Sequence, residues 1–459
     1  MSNKEEGSSS LAVVSHDITI IAEESEPILS ESVEKLLQIA NSRNVEERFS
    51  PIYTVPSRLR DVSLSSFTPR VVSIGPIHRG RANLKLMQDK KATYLDELLT
   101  EVCSPERGSR ADILTRCEKK VSDSIKEIKR YYFGKYFMKD GYSDDKLVQI
   151  MVMDACFILQ FINKLFKAGD ELYENRLRSR SVGVDLVLLE NQIPFFVLKD
   201  IYEVTFETLK PPPHSLTEML HELLERVNPF AEKLNIDTVG NLSDERTPPL
   251  YHILGILHEF YKPERTERPI ITAIPAAYSA VELHKVGVRF RPNKDKKFLM
   301  AVKFQHSLHK PTLKMPRVLI DNFFEVIMRN LIAYEQYSTP VKNYATSYAM
   351  AMDMIVATPG DVAKLVKSNV LVNNLGSNEK ASYMINNICK DVTFPDFYYI
   401  ESWERTKKYY NSWYKIPWVF TRKYCSTPWK AIALLAAVIV FSIAIIQFIF
   451  RLTRFKSFH

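Results

Sequence analysis

The strongest constraint on the fold of this chain is a run of twenty residues near its C-terminus, residues 431–450, in which only Ser442 and Gln447 are polar. A helix of about twenty residues is roughly 30 Å long, the thickness of the hydrocarbon core of a bilayer. The run predicts a single transmembrane helix. The alternative, a buried core helix, fits poorly because basic clusters flank the run on both sides.

A basic and aromatic segment, residues 401–430, precedes this run, and we call it the collar. Residues 401–459 carry ten basic and two acidic side chains, which accounts for the whole formal net charge of +8. Tryptophan favours the headgroup region of a bilayer, and lysine and arginine favour anionic lipids. We therefore expect the bilayer to contact Trp403, Trp413, Trp418, Arg422, Lys423, Trp429 and Lys430. Nucleic-acid binding is the weaker alternative, because a membrane helix adjoins the segment.

The sequence leaves the orientation in the membrane open. Three basic residues flank each end of the apolar run, so the positive-inside rule gives a tie. The polar N-terminus does not read as a signal peptide, and only nine residues follow the run, which favours post-translational insertion with the body in the cytosol. We expect a single-pass protein of the plasma membrane. Asn241, in an Asn-Leu-Ser sequon, is a candidate glycosylation site.

The body is expected to be mainly α-helical. Only 13 of 459 residues are glycine, so the chain has few positions suited to the tight turns of hairpin-rich folds. We predict five regions: a flexible acidic N-terminal arm (1–47) with one short amphipathic helix, a large helical domain (48–400), the collar (401–430), the transmembrane helix (431–450) and a basic tail (451–459).

A small antiparallel β element is expected in the middle of the chain. Residues 286–290 and 298–304 alternate apolar and polar side chains on either side of a loop, and residues 313–320 could add a third strand.

Two other segments carry specific structural expectations. Residues 71–74 are expected to form a short strand before the turn at Gly75 and Pro76. Residues 184–202 are apolar but contain Pro194, which removes a backbone donor, so two helices should join there.

Nucleotide and metal motifs are incomplete. Gly75 and Gly80 have the spacing of a P-loop, yet Arg81 and Ala82 stand where lysine and a hydroxyl residue are needed. His221 and Glu222 begin a zinc-protease pattern whose second histidine is missing. We expect no cofactor and no metal, and the sequence identifies no small-molecule substrate.

A Cys–His hydrolase is the least unfavourable catalytic alternative. Its candidates are His78, Cys156 and Glu190. Cys156 lies in an apolar helical stretch, where a thiol is usually inert. The five cysteines show long spacings and no Cys-x-x-Cys pair, so neither a disulfide framework nor a structural zinc site is predicted.

Three consecutive polar residues, Glu190, Asn191 and Gln192, interrupt an otherwise apolar run over residues 185–198. Burying them without partners would cost a few kcal/mol each. They must therefore either form a hydrogen-bonded structural joint or face a ligand. Together with His78 they form the candidate functional or structural polar set.

Eight blocks, taken in order, resemble the plant "domain of unknown function 247" family of single-pass membrane proteins. The blocks read YTVPSRLR, VSIGPIHRG, MVMDACFILQFI, DLVLLENQIPFFVL, VELHKVGVRF, RNLIAYEQ, DVAKLVKSNVLVNNLGSNE and TPW, and the resemblance, with the apolar run that follows them, covers residues 53–450. The LENQIPFF block is the most specific. Ala155 stands where the family usually has glycine, a difference that affects local packing.

The resemblance implies a helical body with a C-terminal anchor and no established catalytic residues. Some grass members resemble pollen-side determinants of self-incompatibility. We therefore expect a non-enzymatic, membrane-anchored interaction protein with an unidentified protein partner and no nucleic acid. An unrecognised enzyme and a passive membrane scaffold are the alternatives.

Overall fold

The chain divides into two units, Met1–Arg48 and Phe49–His459. The computed structural model describes residues of the second unit, namely 51–133, 142–168, 176–240, 251–263, 275–294, 297–307, 311–338, 341–394, 396–416, 418–420 and 427–456. The short helix expected in the N-terminal arm lies outside these ranges, as does Asn241.

Helices make up most of the described residues, which confirms the mainly helical class. They are α1 (Ser57–Arg60), α2 (Lys85–Val102), α3 (Arg110–Asp123), α4 (Ile125–Tyr131), α5 (Asp144–Ala168), α6 (Arg176–Asp185), α7 (Phe195–Val204), α8 (Leu216–Val227), α9 (Ile253–Phe260), α10 (Ala280–Lys285), α11 (Asn322–Tyr337), α12 (Tyr344–Ile355), α13 (Pro359–Lys367), α14 (Asn378–Ile388), α15 (Ile400–Asn411) and α16 (Pro428–Lys456). The strands are β1 (Ile52–Tyr53), β2 (Tyr132–Phe133), β3 (Arg289–Asn293), β4 (Lys303–Gln305), β5 (Thr312–Pro316), β6 (Val318–Ile320) and β7 (Leu371–Asn373).

Helix α5 is the central element of the N-terminal half. Almost every side chain from Ile150 to Ile162 is buried, so the helix is apolar on all its faces, as expected of a helix surrounded by protein. Helices α2, α3, α7 and α8 pack around it.

Helix α11 has the same role in the C-terminal half. Asp321 precedes its first turn, and the Asp321 carboxylate accepts hydrogen bonds from the amides of Phe323 and Phe324 and so caps the helix. Helices α9, α12 and α14 pack against α11, and the buried side chains of both halves form one continuous apolar core.

The middle sheet differs from the antiparallel pair expected over residues 286–290 and 298–304. Its order is β3-β5-β4, with β3 parallel and β4 antiparallel to the central strand β5. The first strand begins late because Gly287 adopts φ +94°, which turns the chain before Arg289. The other two sheets are short parallel pairs, β1 with β2 and β6 with β7.

Two predicted elements were wrong in detail. Residues 71–74 form no strand, because side chains rather than a neighbouring strand satisfy their backbone groups. Helices α6 and α7 are separated by the non-helical residues 186–194 and do not meet at Pro194, which instead lies directly before α7.

Helix α16 contains the predicted membrane-spanning run. Residues 428–451 contain an 18-residue window with a mean hydropathy of 2.9, and none of that window is buried against the body. By length and composition the helix can cross a membrane. A buried core helix, the alternative raised by the sequence, would have its apolar side chains covered by protein, and these are exposed.

Candidate functional site

The loop between α6 and α7, residues 186–194, carries the polar trio singled out in the sequence. Glu190, Asn191 and Gln192 are only 1%, 0% and 2% exposed. Their side chains reach residues 55–78 and the backbone around the loop. Residues 70–75, which we call the irregular segment, form neither helix nor strand.

Asn191 provides hydrogen-bond partners for the backbone of the irregular segment, much as a neighbouring strand would. Its Oδ1 accepts a hydrogen bond from the Ile74 amide at 2.7 Å, and its Nδ2 donates to the Val72 carbonyl at 3.1 Å. The same Nδ2 donates to the Asp185 carbonyl at 2.8 Å, which fixes the side chain within its own loop. The amide therefore has no free group left for a ligand.

Asp185 is the hydrogen-bond acceptor for the first three backbone amides of the irregular segment. Its carboxylate accepts hydrogen bonds from Arg70, Val71 and Val72 at 2.7–3.1 Å. Burial raises the pKa of Asp185 to about 6, and the three backbone hydrogen bonds act in the opposite direction.

A buried Lys91–Asp154 ion pair also forms hydrogen bonds with the backbone of the irregular segment. The sequence did not predict this pair. Asp154 Oδ2 accepts from the Gly75 amide at 2.8 Å, while Lys91 Nζ donates to Asp154 Oδ1 and to the Ser73 carbonyl. Burial lowers the pKa of Lys91, and the charge of Asp154 opposes that shift. Each residue is a charge within an apolar helical pattern, a signal that could have found the pair.

Two of the three hydrolase candidates, Glu190 and His78, lie next to each other. The Oε1 atom of Glu190 accepts hydrogen bonds from the Val55 amide at 2.8 Å and from Arg60 at 2.6 Å. Its Oε2 lies 3.0 Å from Nε2 of His78, without hydrogen-bond geometry. Because His78 is also buried, the contact lies inside the core.

Cys156, the third hydrolase candidate, is fully buried in α5. Burial raises the pKa of its thiol well above the ordinary range, and the nearby Asp154 carboxylate adds to the effect. A nucleophilic cysteine requires the opposite shift, because the thiolate is the reactive form.

Gln192 and Asn330 form hydrogen bonds with the backbone of the loop itself. Gln192 Nε2 donates to the Leu186 and Leu188 carbonyls at 2.7 and 2.8 Å. Asn330 accepts from the Leu189 amide at 2.9 Å and donates to the Ser66 carbonyl at 2.7 Å. The loop is thus tied to α11 as well as to the N-terminal residues.

A further buried carboxylate, Glu335, caps helix α12. It accepts from the amides of Ala345 and Thr346 and from the Thr346 hydroxyl at 2.6–2.7 Å, and it lies 2.8 Å from Nε2 of His258. A negative charge at a helix N-terminus is favourable. Nearby on α11, Arg329 pairs with Glu325 one turn earlier in the helix.

The collar divides into core and exposed residues. Trp403 is 5% exposed and packs edge-on against Phe397, so its ring belongs to the core and not to a lipid-facing surface. Trp418 packs over Gly287. Trp413 and Trp429 are 83% and 80% exposed, and Lys430 is also exposed. Arg422 and Lys423 lie outside the described residues.

The incomplete zinc-protease pattern has a structural role. His221 Nε2 contacts the Leu234 carbonyl at 3.0 Å, and Glu222 pairs with Arg226 one turn along α8. Within the described ranges, no group of three or more histidine, cysteine or acidic side chains could hold a metal ion.

Comparison with known proteins identifies the chain. Residues 52–443 match DUF247, described as a plant protein of unknown function. The chain belongs to this family. The family resemblance noted in the sequence blocks is thereby confirmed.

Two DUF247-like relatives from Arabidopsis thaliana match along most of their length. The UPF0481 protein At3g47200 is 27% identical over 426 residues, covering 86% of this chain and 85% of the relative. The putative UPF0481 protein At3g02645 is 24% identical over 506 residues, covering 90% and 92%. No solved structure matches the sequence.

Gly75→Ala should destabilise this DUF247 body strongly. Gly75 has φ +68°, and a Cβ there would lie 2.4 Å from the Gln192 carbonyl oxygen, a backbone atom that cannot move aside. We expect a loss of more than about 3 kcal/mol in the free energy of unfolding, measured by urea titration of the full chain in detergent with circular dichroism.

Gly80→Ala is the matched control. Gly80 also has a positive φ, +92°, but nothing lies within 4 Å of the position that a Cβ would take. It should lose only about 1–2 kcal/mol, the cost of the left-handed conformation. Equal losses in the two variants would contradict the close packing of Gly75 against the loop.

Asp185 should make stability depend on pH. Because its pKa in the folded chain is raised from 3.8 to about 6, the folded state binds a proton that the unfolded state releases within this window. Relative to Asp185→Asn, which does not titrate, the wild type should lose about 2 kcal/mol of stability as the pH rises from 4 to 7. If the stability of the wild type relative to Asp185→Asn instead rose with pH, the hydrogen bonds from the three amides would lower the pKa of Asp185 more than burial raises it.

Proposed function

We propose that this DUF247 protein is a non-enzymatic, membrane-anchored protein of plants that recognises another protein through its helical body. The observation that carries the anchoring is helix α16, long enough to cross a bilayer and exposed along its whole apolar stretch. Exposing such a large apolar surface to water is unfavourable, whereas the hydrocarbon core of a bilayer would cover it.

The exposed part of the collar supports attachment close to the bilayer. Trp413, Ile416, Val419, Phe420 and Trp429 are large apolar side chains that remain exposed between the body and α16. Basic side chains share this part of the chain. This combination is typical of the interface between lipid headgroups and water.

The absence of an assembled nucleophile among the described candidates favours binding over catalysis. His78 and Glu190 do meet, which is the one observation in favour of a hydrolase, but both are buried, and Glu190 also accepts a hydrogen bond from the Val55 amide. Cys156 has a raised pKa. Asn191 and Gln192 are hydrogen-bonded to backbone groups.

The recognition role is the finer part of the proposal, and a passive scaffold is its rival. A place in signalling, or in pollen self-incompatibility as in the grass members, rests on the family resemblance. The plasma membrane is the proposed location, since recognition between cells occurs there.

Deleting residues 431–459 should move the protein from the membrane fraction to the soluble fraction. The reason is that α16 supplies the apolar surface that a bilayer covers. Sedimentation after alkaline carbonate extraction measures this. Deleting only the basic tail, residues 451–459, is the control and should leave the protein in the pellet. If the longer deletion still pelleted with membranes, α16 would not be the whole anchor.

Topology should distinguish recognition outside the cell from tethering inside it. A glycan on the Asn241 sequon, together with a body that resists protease in intact vesicles, would place the body outside the cell, as a cell-surface recognition protein requires. The measurement is a glycosidase-sensitive mass shift of the full chain expressed in plant cells. Asn241→Gln should abolish the shift.

An unglycosylated, protease-accessible body would place it in the cytosol. That result would contradict recognition at the cell surface and favour a membrane-tethered signalling scaffold.

A further inference from the structure

The turn that leads into helix α2 carries a guanidinium group without a partner. Arg79 lies in this turn, between Gly75 and Gly80; it is partly buried, and its Nη1 atom is buried without a hydrogen-bond acceptor. Among the residues that the structure describes, the side chain of Arg79 forms neither an ion pair nor a hydrogen bond. A buried charged donor is unfavourable when it is unpaired, so this group requires an acceptor from outside the described chain.

The buried carboxylates at this turn do not balance the charge of Arg79. The two that contact residues 75–80 are Asp154, which is paired with Lys91, and Glu190, which is paired with Arg60. Burial lowers the pKa of Lys91, and the positive charge of Arg79 adds to that shift, so the two cations lie close together. Arg79 is therefore an additional cation beside a pair that is already neutral.

A second unpaired polar group lies next to the same lysine. Ser73 is 1% exposed, and its hydroxyl has no hydrogen-bond partner in the described part of the chain. The Ser73 carbonyl accepts hydrogen bonds from Lys91 Nζ and, at 3.4 Å, from Gln88 Nε2. Unpaired donors are thus concentrated around one buried lysine side chain.

The surface that surrounds Arg79 is strongly basic. Residues 79–91 contain five basic side chains and one acidic side chain, and with Lys91 neutralised by Asp154 the remaining four against one give a net charge of +3. Helix α2 begins without a side-chain cap and without an acidic residue in its first turn, so the partial positive charge of its N-terminus adds to this. The unpaired basic residues are Arg79, Arg81, Lys85 and Lys90, and the acidic residue is Asp89.

The turn is packed against the core at one end and open at the other. A Cβ on Gly75 would lie 2.4 Å from the Gln192 carbonyl oxygen, whereas nothing lies within 4 Å of the position that a Cβ on Gly80 would take. Gly80 stands between Arg79 and the exposed Arg81. The open end of the turn therefore leaves room for a ligand beside the unpaired guanidinium group.

We infer that this turn binds a phosphate group, with Arg79 as the inner ligand and Arg81 as the outer one. A phosphate monoester carries about −1.5 to −2 charges at pH 7 and has three acceptor oxygens, so it suits several cations better than a carboxylate does. A guanidinium group binds two of these oxygens at once through charge-assisted hydrogen bonds.

The position of the turn in the fold favours a soluble source of phosphate. Helix α2 packs against α3 and α5, whereas α15, which leads to the collar and to α16, packs against β4. The site thus belongs to a different part of the body from the one that leads to the membrane. Two soluble sources share the chemistry: a small phosphorylated compound, and a phosphorylated side chain of a protein partner, which rests on the proposed recognition function.

The test is equilibrium dialysis of radiolabelled inorganic phosphate against the full chain in nanodiscs of neutral lipid, at constant ionic strength. The wild type should bind the probe saturably. Arg79→Met, which keeps an unbranched apolar side chain and removes the charge, should weaken binding at least about tenfold. Absence of saturable binding by the wild type would overturn the inference.

Lys119→Gln is the matched control for charge. Lys119 is exposed on the neighbouring helix α3 and carries the same charge, but it lies outside the turn and α2. Its affinity for phosphate should equal that of the wild type. A loss as large as that of Arg79→Met would show general attraction to positive charge and would overturn the site.

Acetate tests the chemical class of the ligand. At equal concentration and ionic strength, acetate should displace much less of the labelled phosphate than unlabelled phosphate does, because it has fewer oxygens and less charge. Equal displacement by the two anions would make the turn a general anion site and overturn the assignment to phosphate.

Stability without the probe separates a binding role of Arg79 from a structural one. Because Arg79→Met removes an unpaired buried charge, its unfolding midpoint in urea should be at least as high as that of the wild type when no phosphate is present. Weaker binding with unreduced stability assigns Arg79 to the ligand. A clearly lower midpoint would make the residue structural and overturn its assignment.

Competition identifies the source. Phosphoserine peptides with random flanking residues should displace the label at lower concentrations than inorganic phosphate does if a protein partner supplies the group. Displacement only at equal or higher concentrations would exclude that source and retain the phosphate site for a small compound, and it would leave recognition through another surface untouched. Nanodiscs that contain phosphatidic acid should not change the affinity for phosphate; a fall would make the ligand a lipid and overturn the soluble assignment.

Discussion

The fold depends on satisfying the backbone of a buried segment that has no strand partner. Residues 70–75 enter the core as irregular chain, with Arg70 exposed and residues 72–75 buried, and an unpaired amide in the buried part would cost about 1–3 kcal/mol. Asp154, Asp185 and Asn191 supply the acceptors. Because these residues come from α5, the end of α6 and the following loop, one set of hydrogen bonds ties the N-terminal residues to the central helices.

This arrangement explains why three sequence blocks that are far apart belong together. The VSIGPIHRG block supplies the irregular segment, the MVMDACFILQFI block supplies Asp154, and the DLVLLENQIPFFVL block supplies Asp185 and the polar trio. Glu190 connects the same loop to the YTVPSRLR block, because it accepts hydrogen bonds from the Val55 amide and the Arg60 side chain. The specificity of the LENQIPFF block thus has a structural cause, independent of any ligand.

The sequence predicted the helices better than the contacts between them. Helix caps are local features: the side chains of Ser215 and Asp321 accept hydrogen bonds from amides two or three residues further along the chain, at the starts of α8 and α11. Periodicity shows that Asn191 is buried but not which amide it meets, because that partner lies 117 residues away. For the same reason composition assigned Trp403 to the membrane surface, whereas its neighbours in three dimensions place it in the core.

Part of the collar is packed into the body. Trp403 and Tyr409 fix α15 in the core, and Trp418 covers Gly287, where a Cβ would lie 2.5 Å from the indole ring. The chain therefore still contacts the body at Trp418, ten residues before α16 begins at Pro428. Trp413 and Trp429, by contrast, are exposed. Composition alone cannot separate these two kinds of tryptophan, because it carries no information about neighbours in three dimensions.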